Sequence, residues 1–456
     1  MVIASSLGFV YVRQRSKEPS HPRQWDSRVT AIAEFVGRER GRPFKHPVSV
    51  DFLTPEQYQS AAVGRDTIES TGDADGTMSD DDIVAEYRAV GLISGRVDLQ
   101  ATGDTLAGSG TLAFYSPSDK RVRVRGSEMT PGLRVTLAHE LTHALQDQYF
   151  DISGARLAKE STLRPIVEGD ATRIEKAYET QVLTDAERQE KASADADELS
   201  TYNAQLATTN VPSVLATVSE FPYAVGPPFV EIAAALGGNT AVDALIIRPP
   251  AYDIFLLDPL LTDNGITSRA VADLALPTGA KALDRSPMEA GLLFLLLGER
   301  LEPAAALDAA LTWRGEASAI SRQQGRICFD ADFRADGSVG EALLAGMTAW
   351  AAGMPAEAGA HVDGDAHDVR VHSCDPGAGV AFAVAGRTEQ TLTFAAVRSQ
   401  LELELVRDAK FGRERSACIA DRAARSVSAA DLATDGSGST ADPELTAAVQ
   451  QAAATC

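Results

Sequence analysis

Along the chain, apolar residues recur mostly every three or four positions and alternate with polar ones in only a few short stretches, so the pattern predicts a largely helical protein with some strand. Val29, Ile32, Phe35 and Val36 mark a helix starting near Trp25, and His46 to Leu53 alternates like a strand. Residues 110–125 read as a β-hairpin, with Ser116-Pro117-Ser118-Asp119 as the turn and Val122 and Val124 alternating with Arg121, Arg123 and Arg125. Thr130 and Pro131 then open a helix, Thr as the N-cap and Pro in the first turn. Leu133, Leu137, Leu141, Ala144 and Leu145 carry it to about Tyr149. A second helix is expected from Leu163 through Tyr178, with charged helical sequence continuing to about Leu206.

Proline and aromatic clusters over 221–262 predict packed loops around one short helix, and Pro287 to Leu301 is apolar on most sides, as a buried helix would be. The character changes near Trp313. Beyond it, strand-like runs at 326–333, 369–374 and 379–386 and an Ala-rich helix over 340–352 predict a smaller α+β unit. The expected division is an arm or linker over 1–24, a main domain over 25–305 and a C-terminal domain over 306–456. A chain of 456 residues is too long for one ordinary core.

Composition narrows the class. Hydrophobic residues at 44% and charged residues at 23% are the balance of a globular protein, and no stretch reads as a continuous membrane span. The short apolar run Val2 to Val12, followed by Arg13, Arg15 and Lys17, reads either as the remnant of a membrane or signal segment or as an unstructured arm. A net charge of −22 repels a phosphate backbone, so no nucleic-acid partner is expected. Glu69 to Asp82 is rich in Ser, Gly and Asp and reads as a loop. It lacks the D-x-D-x-D-G order of an EF-hand.

Four widely spaced cysteines form no CxxC pair, which points to two disulfides in an oxidising compartment. Cys328 and Cys374 lie in strand-like runs that one sheet could bring together. Cys418 and Cys456 could tie down the C-terminal tail. The expected pairs are therefore Cys328–Cys374 and Cys418–Cys456, on the outer side of a membrane.

The chemistry concentrates at His139-Glu140-Leu141-Thr142-His143. Positions i and i+4 share one face of a helix, so His139 and His143 can direct imidazole nitrogens at one Zn2+ ion. Glu140 is placed to act as base on an activated water. A catalytic zinc needs a third protein ligand. The candidates on the following segment are Glu160, Glu168, Asp170 and Glu175. Glu168, in Val167-Glu168-Gly169-Asp170-Ala171, is the preferred one because Gly169 permits close approach. Asp147, one turn after His143, suits an outer role, bonding a ligand histidine from behind.

The run from Thr130 through Gln148, followed by Val167 to Ala171, resembles a family of gluzincin-like metallopeptidases from actinobacteria. That resemblance implies His139, His143 and Glu168 as zinc ligands, Glu140 as catalytic base and a peptide or protein substrate. The fold expected overall is α+β: a zincin-like domain with a mainly helical extension and, from the strand-like runs and cysteines, a small disulfide-bonded C-terminal domain. Better-known gluzincins often carry an acidic residue four positions after the ligand glutamate. Here that position is Thr172, leaving Asp170 or Asp147 for the outer role and Tyr178 or Tyr223 as candidate oxyanion donors. Two other readings share the motif: an inactive zincin scaffold that binds partners at the cell envelope, and a zinc hydrolase of non-peptide amides.

Overall fold

A computed structural model describes residues 20–62, 78–108, 112–209, 211–261, 271–339, 341–408, 410–428 and 443–456. The expectations for the segment before residue 20 and for most of the 69–82 stretch lie outside these described residues. Asp80 to Asp82 do not belong to a loop: they form the first turn of a helix that Ser79 opens with a capping box.

The N-terminal half begins with α1 (Thr30–Glu39), β1 (Ser49–Leu53), α2 (Pro55–Ala62), α3 (Asp80–Ala89) and α4 (Leu99–Gly108). The hairpin expected over 110–125 is β2 (Ala113–Ser116) and β3 (Arg121–Arg125). β3 is the centre of a three-stranded sheet, antiparallel to β2 and parallel to β1. Its valines are buried and its arginines line the other face, where Arg121, Arg123 and Arg125 pair with Asp51, Asp119 and Glu198.

Behind this sheet run α5 (Pro131–Phe150), the short α6 (Gly154–Lys159), α7 (Leu163–Val182), α8 (Asp185–Thr209) and α9 (Ser213–Ile247). Leu133, Leu137, Leu141 and Leu145 of α5 pack with Val122, Val124 and the buried face of α1 into one core.

α9 corrects the expectation for 221–262. Instead of loops around a short helix, one long helix runs through Pro222, Pro227 and Pro228 and kinks only at Gly238. Each proline removes a backbone donor, which ordinarily breaks a helix. Here Val225 to Ile232 are all buried, and packing against neighbouring helices overrides the local penalty. The contact with α7 is unusually close: a Cβ on Gly226 would lie 2.0 Å from the Pro165 carbonyl oxygen. α9 also corrects the expectation that no stretch reads as a membrane span, since it is long and apolar enough to cross one by length and composition alone. Its buried part is concentrated at Val225 to Ile232, and only 28% of the apolar stretch is buried.

The rest of the chain comprises α10 (Ile254–Leu257), β4 (Lys281–Asp284), α11 (Glu289–Gly298), α12 (Pro303–Leu311), β5 (Trp313–Gln323) and β6 (Arg326–Ala335). After these come α13 (Ala342–Ala352), β7 (His361–Gly364), β8 (Asp368–Cys374), α14 (Thr388–Arg407), α15 (Arg413–Ser426) and a last helix, Pro443–Ala453. A five-stranded sheet has the order β4-β5-β6-β8-β7. β4 precedes residue 305 and pairs with β5 beyond it. A second large core likewise joins α3, α9 and α11 to the sheet and to α14 and α15.

Residues 379–386 alternate as a strand would, yet none forms. Both flanks of β8 are taken, by β6 and β7, and the segment is fixed through side chains instead. The Phe382 N–H donates to Ser94 Oγ (3.4 Å) and the Gly386 N–H to Glu299 Oε2 (2.8 Å).

Both expected disulfides are present. Cys328 and Cys374 face each other in register across β6 and β8, and Cys418, inside α15, holds Cys456 after the last helix. Two such bonds suit an oxidising, extracytoplasmic compartment. The architecture is mixed α+β, as the sequence pattern indicates.

Candidate metal centre

The site grows out of α5 and α7, which run antiparallel past each other. Thr130 Oγ1 accepts the Leu133 N–H (3.2 Å) and Pro131 sits in the first turn, so α5 starts at a fixed point. Its leucines anchor one face in the core, and this turns His139 and His143, one turn apart, toward α7. α7 belongs to both cores: Ile166 and Val167 pack into one, Ile174 and Tyr178 into the other. Glu168 lies between these anchors and is 2% exposed. The next residue, Gly169, abuts α9 so closely that an added Cβ would sit 2.4 Å from Gly226 O.

Three donor atoms converge. His139 Nε2 is 3.2 Å from Glu168 Oε2, His143 Nε2 is 3.3 Å from the same oxygen, and the two Nε2 atoms are 3.0 Å apart. Hydrogen bonds behind the rings fix what these atoms are. His139 Nδ1 lies 2.9 Å from Glu175 Oε2, and His143 Nδ1 lies 3.0 Å from Gln146 Oε1. Gln146 cannot be turned around, because its Nε2 donates to Val167 O (3.0 Å) and Asp170 Oδ2 (2.9 Å). A carboxylate and an amide oxygen only accept, so each neutral ring carries its proton on Nδ1 and presents a bare lone pair at Nε2.

With both rings neutral, two nitrogen lone pairs and a carboxylate oxygen facing one another repel unless a metal ion or shared protons sit among them. Metal–donor bonds of about 2.0–2.1 Å at a tetrahedral angle place the donors roughly 3.3 Å apart, close to the triangle observed. His139, His143 and Glu168 could therefore hold a metal ion.

The charged groups around the triangle are strongly coupled. Burial alone would raise the Glu168 pKa, but the two histidines hold its carboxyl well below the usual range. Burial opposes charge on His139 and His143, yet Glu168, with Glu175 for His139, raises both above the ordinary histidine value. Glu140 is 8% exposed, and burial pushes its carboxyl up despite the opposing pull of the histidines. The Tyr115 N–H of β2 donates to Glu140 Oε2 (2.7 Å), and Oε1 has no bonded partner among the described residues.

Comparison with known proteins gives no matching family model, curated protein or solved structure.

The other sequence candidates are elsewhere engaged. Glu160 pairs with Arg156 (3.0 Å). Asp170 is fully buried but turned away from the triangle, accepting from Arg40 Nε (2.7 Å), Arg173 and Gln146. Asp147 does not support a histidine: its Oδ2 accepts from Tyr115 Oη (2.5 Å) and Lys120 Nζ (2.6 Å). Tyr178 packs edge-on against Phe35 in the core, and Tyr223 is 39% exposed on α9. The supporting roles fall instead to Glu175, considered above only as a ligand, and to Gln146, which sequence reasoning passed over. Both had a legible signal. Glu175 follows Glu168 by seven residues, two helical turns on one face, and Gln146 follows His143 by three. Arg40, which braces Asp170 and Asp243 from α1, carried no local signal at all.

Proposed function

We propose that the chain is a zinc-dependent peptidase with a zincin-like catalytic domain, secreted or anchored in the cell envelope. The observation that carries this reading is the triangle of bare donors on His139, His143 and Glu168, with the carboxylate of Glu140 beside it. The donor set suits zinc: two imidazoles, one carboxylate and room for a fourth position are the pattern of catalytic rather than structural sites. When bound, zinc would supply Lewis acidity toward water and toward a peptide carbonyl.

The chain's own residues supply the rest. Glu140, held through Oε2 by the Tyr115 N–H, keeps Oε1 available to take the proton of the attacking water and pass it to the leaving amine. Its raised pKa brings the carboxyl nearer to the neutral range in which such transfers run best. Glu175 and Gln146 orient the ligand rings. β2, an edge strand whose Tyr115 already reaches Glu140, supports binding of an extended peptide by backbone hydrogen bonds.

The test compares wild type with Glu140→Gln on a mixed peptide library, following zinc content and cleavage products. Wild type should cleave in a chelator-sensitive way. The variant should keep one zinc and lose turnover by about a hundredfold or more, since the amide cannot accept the proton. Unchanged turnover in Glu140→Gln, or no cleavage by zinc-loaded wild type, refutes the reading.

A further inference from the structure

We propose that Arg164 binds a carboxylate of the substrate, within about three residues of the cleaved bond. This inference rests on the peptidase reading above and narrows its substrate class to peptides carrying an anionic group near the scissile position.

The starting observation is an arginine without a partner among the described residues, in a chain that has no shortage of acids: 64 acidic against 42 basic residues. Arg164 is half-buried, and its Nε is buried with no hydrogen-bond partner. No carboxylate or carbonyl among the described residues pairs with any part of its guanidinium. Every other described arginine lacking a hydrogen bond or ion pair is exposed to solvent, where water satisfies it. Other half-buried arginines find an acid or a backbone carbonyl: Arg134 finds Glu187, Arg173 finds Asp170, and Arg300 bonds the Gly91 and Glu299 carbonyls. The acids closest to Arg164 in sequence are committed: Glu160 to Arg156, Glu168 to the two histidines, Asp170 to Arg40 and Arg173.

Its placement is directional. Arg164, Glu168 and Glu175 are spaced by four and by seven, so they share one face of α7, and that face carries the two glutamates bonded to His139. Arg164 is one turn, about 5.4 Å, from Glu168 toward the helix start. Helical side chains lean toward the N-terminus, which carries the guanidinium farther from the triangle. That distance excludes it from the metal ligands' own chemistry and suits a group on the bound peptide, since extended chain advances roughly 3.4 Å per residue. A planar fork whose buried Nε has no acceptor and whose Nη groups meet none among the described residues matches a carboxylate better than any neutral group. The carboxylate could be a peptide's C-terminus or an Asp or Glu side chain.

The test uses zinc-loaded Glu140→Gln protein, so that binding is read without turnover. One peptide sequence is offered as the free acid, as the C-terminal amide, and with Glu or Gln at the flanking positions, and dissociation constants are measured by calorimetry. One acidic form should bind about tenfold to a hundredfold more tightly than its neutral counterpart. In Glu140→Gln/Arg164→Met that ratio should fall to within about twofold. Arg164→Lys, which keeps the charge but not the fork, should fall between. Preference for the free acid assigns the C-terminus, and preference for Glu over Gln assigns a side chain. A ratio that survives Arg164→Met and Arg164→Lys, or the absence of any acid preference, overturns the proposal. Arg164-dependent binding of peptides that the Glu140-intact protein never cleaves would refute the peptidase reading alone.

Discussion

Replacing Gly169 with alanine probes how the fold sets the proposed metal site. The new Cβ would meet Gly226 O at 2.4 Å, Gly226 C at 2.5 Å and Pro227 N at 2.9 Å, all of them backbone atoms that cannot rotate away. Restoring an ordinary contact of at least 3.4 Å requires α7 and α9 to part by about 1 Å. Two stability effects oppose each other. Alanine in a helix interior gains roughly 1 kcal/mol over glycine, while overpacking costs about 1–3 kcal/mol, so net destabilisation is about 0–2 kcal/mol. The metal site has less tolerance. Glu168 is the adjacent residue, and a ligand set accepts displacements of only about 0.2 Å. A shift of about 1 Å takes the carboxylate out of the triangle and leaves two histidines. Zinc affinity, measured by competition with a calibrated chelator, should fall about tenfold to a hundredfold or more. Thermal unfolding of the metal-free protein should change by only a few degrees. Affinity within twofold of wild type would refute the claim that the close α7–α9 approach positions Glu168.

Gln146→Leu removes the acceptor that fixes the His143 ring, so zinc affinity should fall about tenfold to a hundredfold while the far-ultraviolet spectrum stays near wild type. Unaltered affinity would show that Gln146 does not position the ligand. Glu402 of α14 is fully buried; its Oε1 lies 3.1 Å from Arg398 Nη1 but neither oxygen accepts a well-directed hydrogen bond among the described residues, and burial pushes its pKa up to about 8 against the pull of Arg398. A raised acid binds its proton more tightly in the folded state. Its contribution to stability is therefore fully present below the unfolded carboxyl pKa, near 4.5, and is lost as pH rises to about 8. Glu402→Gln should flatten that decline and stabilise the protein at pH 8–9 by on the order of a few kcal/mol, read from denaturant midpoints. Identical pH profiles for the two proteins would exclude an unsatisfied Glu402.

What the sequence determined by itself was whatever depends on neighbours along the chain. The Thr130-Pro131 start, the leucine face of α5 and the i, i+4 histidines are consequences of helical periodicity, and they put His139 and His143 side by side before any tertiary contact is known. The alternating runs that gave β3, β6 and β8 were legible for the same reason. So was the pairing of Cys328 with Cys374, since both lay in strand-like runs. Tertiary structure decided everything that needed a partner distant in sequence. Alternation over 379–386 produced no strand: both flanks of β8 are occupied, and the segment is held instead by the side chains of Ser94 and Glu299, far away in sequence. Three prolines did not break α9 because the helix is buried along its middle and meets α7 at Gly226. The choice among four candidate acids was made the same way. Arg40, from α1, claims Asp170, Arg156 claims Glu160 and His139 Nδ1 claims Glu175, which leaves the buried carboxylate of Glu168 facing both Nε2 atoms. Local propensity fixes which residues can face a site; which of them finds it without another partner is a property of the packed chain, because a buried charge must be satisfied wherever the fold puts it.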